Sequence, residues 1–459
     1  MKPMKILSHA FRLLVLISLL ATAHAQEVSI PDPGLNAAVR DALRKPAGPL
    51  TAQDLLSLTN LSAVGRSVSS LEGLQGAYNL VTLDLYRNDL TNFTLPAGMT
   101  NLNTLDLGAN QLAKLTLPAG LTSLATLNLA FNDLTSLTLP VGLASLTTLD
   151  LYYNSLSSLT LPAVLTNLVT LDLGFNYLTS LTVPVALRRL TTLYLYGNSL
   201  SPSFTLPTGL TNLTTLDLYG NYLTSVTLPS SLTGLTNLDL GYNNLSSFTL
   251  PAGLTSLTTL NLDYNQLTRL TLPPGLTNLT TLYVVNNQLT SLTLPSGLTS
   301  LTTLYLYGNQ LTKLTLPAGL SNLSFLDLEN NRLTSLTLPV GLTNLNFLYV
   351  SGNPLKTFIL PEPLAVPNLE ATVASLKTQG VTVYTYPLTV SLVSPARTLA
   401  SGFGFTLTGP PALYSILSST DLATWSTPVS LNNTLGAVAF TDPAATNWPQ
   451  KFYRARFGP

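Results

Sequence analysis

Aspartate residues recur at a fixed spacing along the middle of the chain. Three pairs are each separated by 22 residues: Asp84 with Asp106, Asp150 with Asp172, and Asp217 with Asp239. Two neighbouring carboxylates can catalyse glycoside hydrolysis or bind a hard cation such as calcium. If the members of a pair lie on neighbouring strands of a sheet, about 4.8 Å separates them.

Glycoside hydrolysis also requires an enclosed cleft that raises the pKa of one carboxyl group. An open strand surface does not supply such a cleft. We therefore predict that the protein is not an enzyme, with no catalytic residues and no dedicated metal site. A weak cation site at Asp150 and Asp172 remains a hypothesis, because carboxylates held this close repel each other unless a proton, solvent or a cation intervenes.

Tyrosine residues follow the same spacing as the aspartates. Of the 19 tyrosines in the chain, 12 fall in three columns that repeat with the aspartates: Tyr86, Tyr152, Tyr153, Tyr194, Tyr196, Tyr219, Tyr242, Tyr264, Tyr283, Tyr305, Tyr307 and Tyr349. Tyrosine gives a large contact area at low entropic cost, so binding surfaces favour it. We predict a ligand-binding surface of these tyrosines with Asp150, Asp172, Asp217 and Asp239. The alternative is that the rings only stabilise the repeats by stacking on one another.

Other kinds of chemistry are poorly represented. The chain has no Cys, and its two His residues, His9 and His24, lie near the N-terminus. A Ser-His-Asp triad and a His/Cys zinc site are therefore not expected, and no phosphate-binding glycine motif occurs. The formal net charge is zero, which gives no footprint for nucleic acid. We predict no cofactor and no nucleic-acid partner.

The spacing belongs to a sequence repeat. The pattern L-x-x-L-x-L-x-x-N-x-L first appears clearly from Leu80, and its Asn recurs every 22 residues from Asn88 to Asn353, with one step of 23 between Asn198 and Asn221. This pattern resembles the leucine-rich repeat family. The resemblance implies a solenoid that recognises partners without catalysis.

Elementary geometry explains the repeat. Leu83 and Leu85 are two residues apart, so both side chains point inward from a strand, and Asp84 between them points outward. The buried Asn at the end of the strand can bond backbone groups that stacked coils leave without partners. In the second half of each repeat, frequent Thr and a recurrent Pro disfavour a helix and predict a short extended segment.

One coil cannot bury its own leucines, so a stack needs caps at its ends. Helical spacing of apolar residues predicts one capping helix at 33–44 and another at 367–379, with a closing strand at 381–384. The fold class is therefore a mainly β solenoid of about 14 coils of 22 residues with helical caps, followed by a small antiparallel β-sandwich. The predicted boundaries are 1–25, 26–57, 58–366, 367–386 and 387–459.

The two ends of the chain carry different signals. Residues 1–25 combine a basic start, an apolar stretch too short to span a membrane and the small-x-small pattern Ala23-His24-Ala25, which predicts a cleaved signal peptide. From Leu388 the 22-residue step is lost, and six short alternating segments predict the β-sandwich. This segment resembles a β module at the ends of many exported bacterial proteins. We expect Trp425, Trp448 and Phe452 to form its core.

These observations predict an exported bacterial recognition protein, secreted or at the cell surface, with the periplasm as an alternative. The expected partner is a protein bound on the Asp/Tyr strand face, without stable insertion into a membrane. Glycan binding and a structural surface protein without a defined ligand remain alternatives. The sequence indicates no oligomeric state.

Overall fold

The computed structural model describes residues 27–398, 402–448 and 450–458. The predicted signal peptide lies outside the described residues. The described residues up to Ser201, with Leu206–Leu213, form one compact unit, and Pro202–Thr205 with the described residues from Thr214 onward form a second.

The first unit opens with two short helices. Helix α1 spans Pro33–Leu43 and helix α2 spans Ala52–Ser57, so the predicted capping helix is confirmed and a second one accompanies it. Asp32 caps α1 by accepting the Leu35 backbone N–H, and its other carboxylate oxygen accepts the N–H groups of Ser69 and Ser70. The cap is thereby tied to the first coil of the solenoid.

Each coil begins with a three-residue parallel strand, as the Leu-x-Leu spacing predicts. In the register of neighbouring strands, Leu83 pairs with Leu105 and Asp84 with Asp106. The first unit contains Asn60–Ser62, Thr82–Asp84, Thr104–Asp106, Thr126–Asn128, Thr148–Asp150, Thr170–Asp172 and Thr192–Tyr194. The second contains Thr215–Asp217, Asn237–Asp239, Thr259–Asn261, Thr281–Tyr283, Thr303–Tyr305, Phe325–Asp327 and Phe347–Tyr349.

The leucines on either side of these outward residues form the core. Leu83, Leu85, Leu171 and Leu173 are completely buried, as are their equivalents in most other coils. Burying one leucine side chain contributes about 1.5–3 kcal/mol, and only stacking of coils achieves it. The outward side of the parallel strands in each unit, with the two residues before each marker Asn, is called the strand face below.

The second half of the coil is extended, as predicted, but its strands pair by hydrogen bonds across only two or three neighbouring coils at a time. Strands lie at Asn92–Thr94, Lys114–Thr116, Ser203–Thr205, Ser225–Thr227, Ser247–Thr249, Arg269–Thr271, Ser291–Thr293, Lys313–Thr315, Ser335–Thr337 and Thr357–Pro361. Most of them pair two by two. The recurrent Pro at the end of each segment, which cannot donate to a ladder, keeps these strands short.

The second unit ends its coils with helices α3 (Glu362–Ala365) and α4 (Glu370–Thr378). Helix α4 begins three residues later than predicted, and α3 was not predicted. Strand Thr382–Tyr386 then pairs in parallel with Thr357–Pro361. The buried Tyr386 hydroxyl donates to the Leu338 carbonyl at 2.6 Å, which joins the closing strand to the coil beneath.

The C-terminal module has six strands in two antiparallel sheets. One sheet contains Ser391–Thr398, Gly402–Thr408 and Ala437–Asp442, and the other contains Ala412–Ser419, Val429–Asn433 and Phe452–Phe457. The turn at Pro443–Asn447 is a single 3₁₀ segment. Side chains from both sheets form the core: Phe405, Leu407, Tyr414 and Ile416. The β-sandwich prediction is confirmed.

The predicted core residues of this module were wrong. Trp448 is 49% exposed, and Trp425 and Phe452 are only partly buried. The Trp425 ring instead lies under the Arg454 guanidinium, 4.0 Å from the ring centroid. A large indole with a polar N–H fits a rim with a cation above it, whereas the smaller Phe and aliphatic side chains fill the narrow space between the sheets.

Candidate functional site

Buried asparagines set the geometry of the strand face. Asn176 donates through Nδ2 to the carbonyl oxygens of Leu151 at 3.0 Å and Leu173 at 3.2 Å, and its Oδ1 accepts the Leu156 N–H at 3.0 Å. Asn110, Asn132, Asn154 and their equivalents repeat this arrangement, coil after coil. The ladder fixes where each strand ends, and therefore where the outward side chains stand, as the sequence predicted.

The residue before each of the thirteen marker Asn residues takes a left-handed backbone conformation, including Arg87 and Ala109 in the first two of these coils. Glycine or asparagine, which tolerate a positive φ, occupy this place at Gly197, Gly220, Asn286, Gly308, Asn330 and Gly352. In five other coils the place is aromatic, with φ between 48° and 54°: Phe131, Tyr153, Phe175, Tyr242 and Tyr264. All five rings are exposed to solvent. Bulky side chains are rare in this conformation, which marks these positions as unusual.

The predicted tyrosines gather into three aromatic clusters. The first cluster, in the first unit, contains Phe131, Tyr152, Tyr153, Phe175, Tyr194 and Tyr196. The second contains Tyr219, Tyr242 and Tyr264, and the third contains Tyr283, Tyr305, Phe325, Phe347 and Tyr349. Two predicted tyrosines lie outside the clusters: Tyr86, beside the Arg87 guanidinium, on the strand face of the first unit, and Tyr307 on that of the second.

Two members of the third cluster escaped the sequence analysis. Phe325 and Phe347 stand where earlier coils carry a Thr column from Thr82 to Thr303. The signal was the replacement of that Thr by Phe in two consecutive coils. The Tyr305 ring lies 4.9 Å from Phe325, so this replacement widens the aromatic surface sideways.

The rings also pack against one another. Tyr242 and Tyr264 stack with centroids 4.1 Å apart, and Tyr283 and Tyr305 are stacked at 5.0 Å with planes only 6° apart. Hydrogen bonding to Tyr264, the main cause, and burial together raise the pKa of the Tyr242 hydroxyl to about 12. These ring contacts are the kind that the stacking alternative predicts.

The face is acidic as well as aromatic. Its three outward columns contain nine carboxylates: Asp84, Asp106, Asp150, Asp172, Asp217, Asp239, Asp263, Asp327 and Glu329. The same columns contain one basic residue, Arg87. Asp263 was not among the predicted site residues, because it stands in the column next to that of the other aspartates.

Neighbouring carboxylates lie side by side as the register predicts. Asp150 pairs with Asp172, and each accepts the backbone N–H two residues ahead, from Tyr152 at 2.9 Å and Gly174 at 2.8 Å. Burial, followed by repulsion from Asp150, raises the pKa of Asp172 to about 6 against these hydrogen bonds. Burial likewise raises the pKa of Asp150.

Elsewhere an asparagine separates the carboxylates. Asn128 donates from Nδ2 to Asp106 at 3.1 Å, and Asn261 donates to Asp239 at 3.0 Å. Asp217 pairs in register with Asp239. An amide at this position thus satisfies the neighbouring carboxylate where a second carboxylate repels it.

The part of the chain that the structure describes contains no group of three or more His, Cys, Asp or Glu side chains suited to hold a metal ion. The weak cation site at Asp150 and Asp172 would rest on two carboxylates alone and stays a hypothesis. Among the described helices, none is long and apolar enough to cross a membrane.

Comparisons with known proteins agree with this geometry. The family model for leucine-rich repeats in two copies matches residues 144–187, 188–232, 233–274, 277–318 and 321–365. No curated protein matches the chain.

Three solved structures share the fold. The functional domain of InlJ from Listeria monocytogenes, which includes a cysteine ladder, has a TM-score of 0.61 and 22% identity, covering 83% of this chain and 94% of its own. YopM from Yersinia pestis, a leucine-rich effector protein, has a TM-score of 0.55 and 28% identity over 72% of this chain and 86% of its own. PEPR1 in the PEPR1–AtPEP1 structure has a TM-score of 0.51 and 26% identity, covering 72% of this chain and 49% of its own. With their in-register parallel strands and their ladder of asparagines, the coils between residues 144 and 365 of this chain are leucine-rich repeats.

Proposed function

We propose that the strand face binds a protein partner through its exposed aromatic side chains. The observation that carries this proposal is the left-handed conformation of Phe131, Tyr153, Phe175, Tyr242 and Tyr264. A non-glycine residue in this conformation costs about 1 kcal/mol or more. Coils with Gly or Asn at the same place fold in the same way, so the solenoid itself does not require these rings.

The chemistry of the face supports a protein partner. Tyr and Phe supply large, rigid contact area, and aromatic residues are enriched in protein interfaces. Stacked repeats present such side chains on an extended surface that a partner can follow. PEPR1, one of the structural neighbours, is seen together with AtPEP1.

Glycan binding is the weaker alternative. A sugar ring stacks on the free face of an aromatic ring. In the stacked pairs Tyr242–Tyr264 and Tyr283–Tyr305, one face of each ring is already covered by its neighbour. Edge contacts, which proteins exploit, remain open in this arrangement.

Photo-crosslinking tests the proposal. We expect p-benzoylphenylalanine at Tyr153 or Tyr242 to give a defined adduct with an extracellular protein. As a control, the same photo-reactive residue is placed at Tyr78, a similarly exposed tyrosine in a turn away from the strand face. We expect no defined adduct from that position. Excess wild-type protein without the photo-reactive residue should compete for the partner and suppress the adduct. The same excess of the double variant Tyr153→Asn and Phe175→Asn should not compete and should leave the Tyr153 adduct unchanged.

Asparagine is chosen for the double variant because Asn286 and Asn330 occupy the same place with the same φ. The variant should therefore keep its circular dichroism and melting temperature. Equal adducts at Tyr153, Tyr242 and Tyr78 would argue against a binding face. Binding on a glycan array that the double variant loses would favour the sugar alternative, and a cell phenotype untouched by the variant would favour a purely structural role.

We also propose that the protein is exported. The supporting observation is the basic, apolar and small-x-small pattern of residues 1–25. Mass spectrometry of protein recovered from outside the cytoplasm should place the N-terminus at Gln26 or within two residues of it. Recovery of the uncut chain in the cytoplasm would contradict export.

A further inference from the structure

We infer that the groove lined by Tyr153, Phe175 and Tyr177 receives an arginine side chain of the partner protein. The inference rests on the proposed function, because it specifies the chemistry by which the same surface recognises its protein partner. The groove lies at the edge of the strand face of the first unit, and Asp133 and Gly197 complete its ends.

Three aromatic side chains form its walls. Tyr153 is 57% exposed, Phe175 48% and Tyr177 62%, so all three rings are accessible from solvent. The Tyr153 and Phe175 rings pack against each other as adjoining walls, with centroids 6.2 Å apart and planes inclined by 52°. A cation placed over such ring faces is attracted by their negative quadrupole.

Gly197 holds one wall in position. It has a φ of 63°, and a Cβ added to it would approach the Phe175 ring to 2.7 Å. The absence of a side chain therefore lets the Phe175 ring lie over the backbone of the next coil. A larger residue would displace this ring from its present position.

The charges around the groove favour a cationic guest. Asp133 supplies an exposed carboxylate at the groove itself. Asp150 and Asp172 lie on the adjoining strands, and the face columns contain no basic residue from position 128 to position 197. The local potential is therefore negative, which attracts basic segments and repels polyanions.

Arginine fits these walls better than lysine. Its planar guanidinium stacks on an aromatic face and, at the same time, presents a fork of N–H donors to a carboxylate. A groove with tilted rings and one carboxylate offers both contacts. The lysine ammonium is a strongly hydrated point charge, which uses the ring faces less well.

The chain offers a matched control for the walls. Tyr222, like Tyr177, directly follows a marker Asn, and it is 59% exposed. Beside Tyr222 stands Gly220, whereas beside Tyr177 stands Phe175. Tyr222→Ser therefore removes the same side chain from the same place in a coil that lacks the aromatic wall.

Isothermal titration of the purified protein with the acetylated, amidated heptapeptide SRSRSRS tests the inference. We expect the arginine peptide to bind, its lysine counterpart to bind more weakly, and its citrulline counterpart, which keeps the shape and loses the charge, to bind at least about tenfold more weakly. Asp133→Asn and Tyr177→Ser should each weaken the arginine peptide about fivefold. Tyr222→Ser should leave the affinity unchanged.

If the wild-type protein binds the arginine and citrulline peptides with equal affinity, the inference is overturned. Wild-type affinity in the double variant Asp133→Asn and Tyr177→Ser, or no measurable binding at millimolar peptide, would also overturn it. A partner that crosslinks to the strand face and binds this double variant normally would overturn the arginine groove and leave the protein-binding proposal standing. The opposite result is arginine-specific peptide binding that the double variant loses, together with no crosslink specific to the strand face. It would overturn the protein-binding proposal and leave the arginine groove standing.

Discussion

Replacement of Asn176 by alanine should lower the free energy of unfolding by about 2–4 kcal/mol. The side chain is 4% exposed and bonds to the carbonyl oxygens of Leu151 and Leu173 and to the N–H of Leu156. Alanine leaves the Leu156 N–H buried without an acceptor, whereas the Leu151 and Leu173 carbonyl oxygens each lose one bond and keep those from Asn154 and Asn198. Each buried polar group without a partner costs about 1–3 kcal/mol. Urea denaturation followed by circular dichroism measures the change.

The control is Asn167→Ala. Asn167 is partly exposed and donates one hydrogen bond near the surface, to the Ala144 carbonyl at 2.8 Å, so its loss should cost less than about 1 kcal/mol. Because each coil contacts only its neighbours, Asn176→Ala should also weaken the coupling along the stack and lower the denaturant slope. Equal small losses in the two variants would show that the ladder is not a major source of stability.

The fold could be predicted because the repeat leaves few choices. A period of 22 with Leu at fixed offsets permits one inward and one outward set of side chains, and the marker Asn has a definite structural task. The predicted strands, the asparagine ladder, the α1 cap and the two-sheet module all appear. The interrupted ladder of the second half and helix α3 depend on pairing geometry between coils, which one repeat does not encode.

The candidate site could be predicted only in part. The columns of Tyr and Asp are visible in the sequence, and register places them side by side. The left-handed conformation of Phe131, Tyr153 and Phe175 is not visible, because aromatic residues normally avoid it. Which rings stack and which remain exposed depends on side-chain packing between coils.

The misplaced tryptophans illustrate the same limit. Trp425 and Trp448 were assigned to the module core on size and apolarity alone. In the structure, Phe405 and Tyr414 fill the core, and an arginine covers Trp425. Hydrophobicity predicts that a side chain is shielded from water. Whether a hydrophobic core or a cation shields it depends on the three-dimensional arrangement.

Replacement of Asp172 by asparagine should stabilise the protein at neutral pH. Burial, with a smaller contribution from Asp150, raises the pKa of Asp172 to about 6, so its charged form is disfavoured in the folded state. The introduced amide would keep an acceptor for the Gly174 N–H. It would also donate to Asp150, as Asn128 donates to Asp106. We expect a gain of about 1–2 kcal/mol at pH 7, after allowance for solvent screening.

The pH dependence fixes the cause of this gain. Between about pH 4 and 6 the folded protein binds more protons at Asp172 than the unfolded chain does, so the contribution of this group to stability falls as the pH rises through that window. Above pH 6 the penalty is complete in the wild type and absent in the variant. The difference between the two proteins should therefore be largest at pH 7 and shrink toward zero near pH 4. Urea titrations at pH 4, 5, 6 and 7 measure it, with the exposed Asp89→Asn as the control.

Calcium separates this account from the cation hypothesis for Asp150 and Asp172. An ion that binds only the folded state raises the melting temperature by mass action. On the cation hypothesis, millimolar calcium should raise the melting temperature of the wild type relative to chelator. The melting temperature of Asp172→Asn should not change, so calcium would cancel the stability advantage of the variant. If calcium has no effect and the stability gained by the variant grows between about pH 4 and 6, burial and repulsion raise the pKa of Asp172 without a bound cation. A variant that is less stable than the wild type at pH 7 without calcium would contradict the expected penalty for the charged form of Asp172 in the folded state.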